Sequence, residues 1–121
     1  MTVTSAFFFP GQGSQSVGML QALSDAYPVV RETFEEASDA LGVDLRQLVA
    51  EGPAEALDRT ENTQPAMLAA GIAVWRVWTE KQGPLPVAMA GHSLGEYTSL
   101  TAAGALTFAA AIRIVAERGR L

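Results

Sequence analysis

Three consecutive aromatic residues, Phe7-Phe8-Phe9, stop at Pro10-Gly11. A short apolar run bounded by a turn signal predicts a buried strand over residues 4–9. The period then changes. Val30, Phe34, Ala37 and Leu41 recur at helical spacing. This predicts an amphipathic helix over 28–42, with Pro28 in its first turn and Gly42 as its C-terminal cap. Residues 53–58 add an expected helical turn after Gly52-Pro53. From Pro65 to Gln82 a longer helix is expected. Its first part, Ala66 to Ile72, is apolar nearly all round, which implies burial on several sides. Gly83-Pro84 breaks it. Residues 86–91, Pro-Val-Ala-Met-Ala-Gly, read as a second buried strand, followed by a helix from about Leu94 to Ala103. Thr107 caps a last helix with Phe108, Ala111, Ile112 and Val115 on one face. Trp75 and Trp78 sit at helical spacing and are expected in the core.

Strands alternating with helices point to an α/β fold with a parallel sheet. Two strands are fewer than such a sheet needs to cover its faces and edges. The expectation is therefore that residues 1–121 are the N-terminal part of a larger α/β subdomain whose remainder is absent; the alternative is a small, mostly helical domain that ends there. The length of 121 residues suits one domain, and 49% hydrophobic against 17% charged residues marks a core-forming chain. The formal net charge of −5 argues against nucleic acid or an anionic membrane surface as partner. With no cysteine and one histidine, the chain offers no disulfide, no thiolate nucleophile and no Cys- or His-rich metal site. The N-terminus lacks the basic stretch and apolar run of a signal peptide. The longest apolar stretch, Pro65 to Trp75, is about half of a bilayer span. A cytoplasmic location is expected.

The chemistry lies in the punctuation between elements. Gly91-His92-Ser93-Leu94-Gly95 follows the second strand directly. The spacing Gly-x-Ser-x-Gly between a strand and a helix marks a nucleophile elbow, a sharp turn that lifts the serine oxygen out of the sheet. It also places Ser93 at a helix N-terminus, where unpaired N–H groups favour developing negative charge. The five-residue pattern is weak alone; the flanking elements give it meaning. A second motif, Pro10-Gly11-Gln12-Gly13-Ser14-Gln15, follows the first strand. It is no P-loop, because no Gly-Lys-Ser/Thr follows, and the dinucleotide fingerprint lacks its third glycine at Ser16. It is either a plain tight turn or a backbone donor loop. In the second case the amides of Gln12 and Leu94 form an oxyanion hole.

Four segments in order and spacing carry a resemblance that covers Ala6 to the last residue. They are Gly-Gln-Gly-Ser-Gln at 11–15, Thr63-Gln64-Pro65-Ala66, Gly-His-Ser-Leu-Gly-Glu-Tyr at 91–97 and Glu117-Arg118-Gly119. Together they resemble the malonyl-CoA:acyl carrier protein transacylases of fatty acid synthesis. Acyltransferase domains of polyketide synthases share the pattern; a start at Met1 just before the first strand favours the free-standing type. The resemblance implies a hydrolase-like parallel-sheet subdomain, with a small ferredoxin-like subdomain expected to be missing. It implies ping-pong transfer of malonyl from malonyl-CoA to the phosphopantetheine thiol of acyl carrier protein through a malonyl-serine. Carried over, Ser93 is the nucleophile, Gln12 and Leu94 are the oxyanion donors, and Arg118 binds the malonyl carboxylate. No metal or prosthetic group is implied.

One part of that machinery is not found. The family uses a histidine well downstream as general base, whereas the sole histidine here is His92. Successive side chains at a strand end point to opposite faces, so His92 is read as structural. Glu96 is read as a cap or elbow support, Gln64 as structural, and Arg113 and Arg120 as solvated. Two other readings use the same elbow: a non-catalytic module that binds acyl-CoA or a partner chain, and a serine esterase, which does not need Arg118.

Overall fold

A computed structural model describes residues 4–121. The order is β1 (Ala6–Phe9), α1 (Gln21–Ala26), α2 (Pro28–Leu41), α3 (Leu45–Glu51), α4 (Ala54–Leu57), α5 (Thr60–Glu80), β2 (Ala88–Gly91), α6 (Leu94–Ala102) and α7 (Phe108–Arg120). The fold is mixed α/β. β1 and β2 pair in parallel, from Ala6 opposite Ala88 to Phe9 opposite Gly91. Both strands were legible, each as a slightly longer run, but neither is buried as expected: only Phe9 of β1 is buried and no residue of β2 is, because among the described residues one face of the two-stranded sheet has no layer over it. The excess is real pairing beyond the regular ladder at one end: Val87 N–H donates to Ser5 O at 2.9 Å.

α5 is the spine. Every residue from Thr63 to Ala70 is buried, as the all-round apolar pattern requires. α2 and α7 lie against it, contributing Val30, Phe34, Ala37, Phe108, Ala111, Ile112 and Val115 to one core. Thr107 caps α7 through its hydroxyl, which accepts from Ala110 N–H at 3.2 Å. Gly42 ends α2 in the left-handed conformation that glycine adopts without strain.

Three features differ from the sequence reading. α5 begins at Thr60, five residues before Pro65. A proline inside a helix removes one N–H donor, which made it a natural start. Here side chains hold the extra turn: Asn62 Nδ2 donates to Ala56 O at 2.9 Å, and the Thr63 hydroxyl contacts both Leu57 O and Arg59 O. Helices α1 and α3 were not expected. They are short, and only α3 carries a cap signal, Asp44 accepting from Gln47 N–H at 3.0 Å. Trp75 and Trp78 are half-buried, not fully in the core. They stack edge-on around Phe7, with ring centroids 5.1 and 5.3 Å away, and Trp78 Nε1 reaches Pro84 O at 3.0 Å.

The sheet is covered on one face. Phe7 and Phe9 turn toward α5, while Phe8 on the other face is 69% exposed beside the exposed Ala90. At the ends of β1 and β2, away from Trp75, the chain turns into the loops that carry both motifs.

Candidate active site

The elbow is built from backbone contacts that only glycine permits. Ser93 has φ 58° and ψ −113°, a strained conformation for a residue with a side chain. A Cβ on Gly91 would overlap the carbonyl of Gly95, and one on Gly95 would overlap the carbonyl of Phe9. The turn thus folds against the end of β1 with no space for side chains. His92 N–H donates to Phe9 O at 3.1 Å, carrying the strand pairing one residue further. Ser93 itself remains exposed.

The glycine-rich loop after β1 meets this turn. Gly11 is buried, and a Cβ there would lie 2.8 Å from the His92 carbonyl oxygen. Gln12 Nε2 donates to the Thr60 hydroxyl at 3.2 Å, and Gln15 bridges Gly13 N–H at 2.8 Å and Asp58 at 3.0 Å. The loop is therefore pinned between the elbow and the start of α5. In the elbow, Gly95 N–H donates to His92 O and Glu96 N–H to Ser93 O, each at 3.0 Å. Among the described residues, the N–H groups of Leu94 and Gln12 have no acceptor. Those are the two amides singled out as oxyanion donors.

Arg118 arrives from the last turn of α7. Gly119 makes its approach possible: a Cβ there would sit 2.6 Å from Thr60 O and 2.7 Å from the Glu61 Cα. α7 and α5 therefore touch backbone to backbone beside the elbow. Arg118 Nη2 donates to Ser93 Oγ at 2.8 Å, and Nη1 donates to Gln64 Oε1 at 3.0 Å. Its guanidinium carbon stands 5.5 Å from the centre of the Tyr97 ring. Among the described residues no carboxylate pairs with it. Its neighbour Glu117 pairs with Arg120 instead, at 2.8 Å.

Sequence reasoning left Gln64 out of the site. It is 6% exposed and bonded to Arg118. The signal was its place in the Thr-Gln-Pro-Ala motif; a polar residue about to enter an all-apolar helical stretch needs a partner. His92 is exposed, and the Ser93 hydroxyl is bonded to Arg118. Glu96 is exposed. Arg113 and Arg120 are exposed as expected. Among the described residues, no group of three or more His, Cys, Asp or Glu side chains is placed to hold a metal. No helix there is long and apolar enough to cross a membrane.

Known proteins resemble this chain in sequence and fold. A malonyl CoA-acyl carrier protein transacylase from Salmonella typhimurium is 58% identical over 115 residues, which is 95% of this chain and 37% of that protein. A type II PKS acyl-carrier protein in complex with its malonyl-transacylase provides a structure with TM-score 0.96 and 58% identity, covering 98% of this chain and 38% of the other. An acyl carrier protein S-malonyltransferase from Vibrio cholerae gives TM-score 0.96 at 52% identity, with 98% and 39% covered. The chain thus spans under two fifths of the length of the relatives it matches. The acyl transferase domain family matches residues 6–121, the elbow and Arg118 included, and the chain belongs to that family.

Proposed function

We propose that the protein carrying this chain transfers a malonyl group from malonyl-CoA to the phosphopantetheine thiol of acyl carrier protein, as an [acyl-carrier-protein] S-malonyltransferase of fatty acid synthesis. One observation carries the reading: a cation with no carboxylate partner among the described residues lies 2.8 Å from a serine held in an elbow. A malonyl carboxylate is separated from its thioester carbonyl by one methylene. A nucleophile and an unpaired guanidinium side by side suit a substrate with both groups close together. A guanidinium also offers a carboxylate two parallel N–H donors.

Ser93 Oγ attacks the thioester carbonyl carbon. The O–C bond forms and the carbonyl oxygen takes the negative charge between the amides of Leu94 and Gln12. Each such donor contributes about 3 kcal/mol to the transition state. The C–S bond then breaks as the carbonyl re-forms, and the coenzyme A sulfur takes up the serine proton. In the second half the carrier thiol attacks the same carbon, and Ser93 leaves and regains a proton. Arg118 has only donors to give, so in the free site the Ser93 hydroxyl accepts from it and keeps its own hydrogen free for a base. His92 is exposed beside the elbow and is not assigned that role.

In this reading residues 1–121 form the nucleophile-bearing part of a larger α/β acyltransferase subdomain. The general-base histidine and the ferredoxin-like subdomain belong to the remainder. The chemistry rests on a hydroxyl, two amides and a guanidinium, so no metal or prosthetic group is required. A cytoplasmic location goes with this reading. The relative solved with its acyl-carrier protein supports the choice of acceptor.

The test is substrate discrimination by Arg118→Ala. Charge-assisted hydrogen bonds contribute about 1.5–3 kcal/mol each, so kcat/KM for malonyl-CoA is expected to fall roughly 100-fold or more. The value for acetyl-CoA falls far less or rises. Equal losses on both substrates would remove the carboxylate role.

A further inference from the structure

We infer that Gln64 is a specificity-determining positioning residue: its neutral amide oxygen holds Arg118 in place while leaving the arginine charge uncompensated for an anionic acyl group. The inference rests on the malonyl reading and deepens it.

The geometry fixes the chemistry of the contact. Arg118 Nη1 lies 3.0 Å from the Gln64 side chain, and arginine offers donors only. The atom facing it is therefore the amide oxygen. Gln64 is 6% exposed and sits in α5 between Thr63, which is fully buried, and Pro65, whose neighbours along the helix are buried too. It cannot swing away without leaving that packed stretch. One nitrogen of the fork is thus anchored to the rigid spine, and the other points at Ser93 Oγ at 2.8 Å. Tyr97 underlies the guanidinium from α6. Three uncharged side chains, one on α5 and two on the elbow and α6, fix the arginine.

A glutamate at this position would fill the same volume and accept the same bond. It would also supply the negative charge that the site lacks. Glu61 on the first turn of α5 and Glu117 on α7 are the acidic residues nearest in sequence to Gln64 and Arg118. Glu117 is engaged with Arg120, and neither forms an ion pair with Arg118. The amide thus orients the fork and withholds the counter-charge. A carboxylate substrate then meets a guanidinium with no carboxylate in ion-pair contact among the described residues, and an uncharged acyl group leaves it without one.

The experiment compares kcat/KM for malonyl-CoA and acetyl-CoA in the full-length protein, wild type against Gln64→Glu, Gln64→Met and Arg118→Ala. For Gln64→Glu the malonyl-to-acetyl ratio is expected to drop roughly 10- to 100-fold, through a higher KM for malonyl-CoA, with acetyl transfer maintained or improved. Gln64→Met loses the anchor without adding charge, and its ratio falls less than that of Gln64→Glu. An unchanged ratio in Gln64→Glu, or parallel losses on both substrates, overturns the proposal by giving Gln64 a merely structural part. If that happens while Arg118→Ala still loses the ratio, the malonyl reading stands alone. If Arg118→Ala keeps the wild-type ratio, the malonyl reading itself fails. Should Gln64→Glu not fold, the Gln64→Met ratio decides: a value equal to wild type overturns the positioning role.

Discussion

Two arginines at opposite ends of the same helical core are held in nearly the same way and differ in one partner. Arg76 donates to the Thr33 hydroxyl at 3.1 Å, lies 4.8 Å from the centre of the Phe108 ring, and pairs with Glu36 at 2.8 Å. Arg118 donates to the Ser93 hydroxyl at 2.8 Å and to the Gln64 amide at 3.0 Å, and lies 5.5 Å from the centre of the Tyr97 ring. Each has a hydroxyl, a ring and an oxygen acceptor. At Arg76 that acceptor is a carboxylate; at Arg118 it is an amide. The first arginine is electrostatically complete and joins α2 to α5. The second is oriented but not neutralised. In the proposed function, an arginine held by neutral groups beside Ser93 is set to receive an anion.

The backbone around the two sites differs in parallel. Near Arg76 the helices meet through side chains. Near Arg118 they meet through glycine. Gly119→Ala places a methyl 2.6 Å from Thr60 O and must push the end of α7 off α5. The expected loss is about 1–3 kcal/mol of stability, typical of overpacking, and a loss of malonyl over acetyl selectivity because Arg118 moves with its helix. Thermal unfolding and the two kcat/KM values check this; a variant as selective as wild type would mean that the close approach does not position the arginine.

The smaller effect belongs to the other end. Glu36→Gln makes the environment of Arg76 like that of Arg118. Both partners are partly exposed, 31% and 48% at the side chain, so the screened pair contributes only about 0–1 kcal/mol. Unfolding should shift within that range and transacylase selectivity should not change. A change in selectivity would break the separation between the structural Arg76 and the proposed substrate-binding Arg118.

Much of this was legible because local chemistry and global packing agree. The Val30-Phe34-Ala37 stripe and the Thr107 cap each predict an element that forms with its inward face as expected. The Phe7-Phe8-Phe9 run predicts a strand that does form, but Phe8 is exposed where burial was expected. The elbow was legible because Gly91 and Gly95 are obligatory where backbones touch. α1 is hard to read, with no buried residue and no side-chain cap to mark it. The start of α5 was misplaced because Pro65 is a local start signal, overridden by Asn62 and Thr63 side chains bonding back to α4. Gln64 was read as structural because its partner Arg118 is 54 residues away, and no periodicity reports a contact of that range.

The central claim is that Ser93 carries the acyl group. Full-length protein is mixed with malonyl-CoA, quenched in acid before a carrier protein is added, and digested for mass mapping. A malonyl ester is expected on the peptide holding Gly91 to Gly95, with fragmentation placing it on Ser93, and Ser93→Ala should take up none. Malonyl on another residue, Ser14, Ser16 or Ser99 for example, or undiminished labelling of Ser93→Ala, would contradict the account.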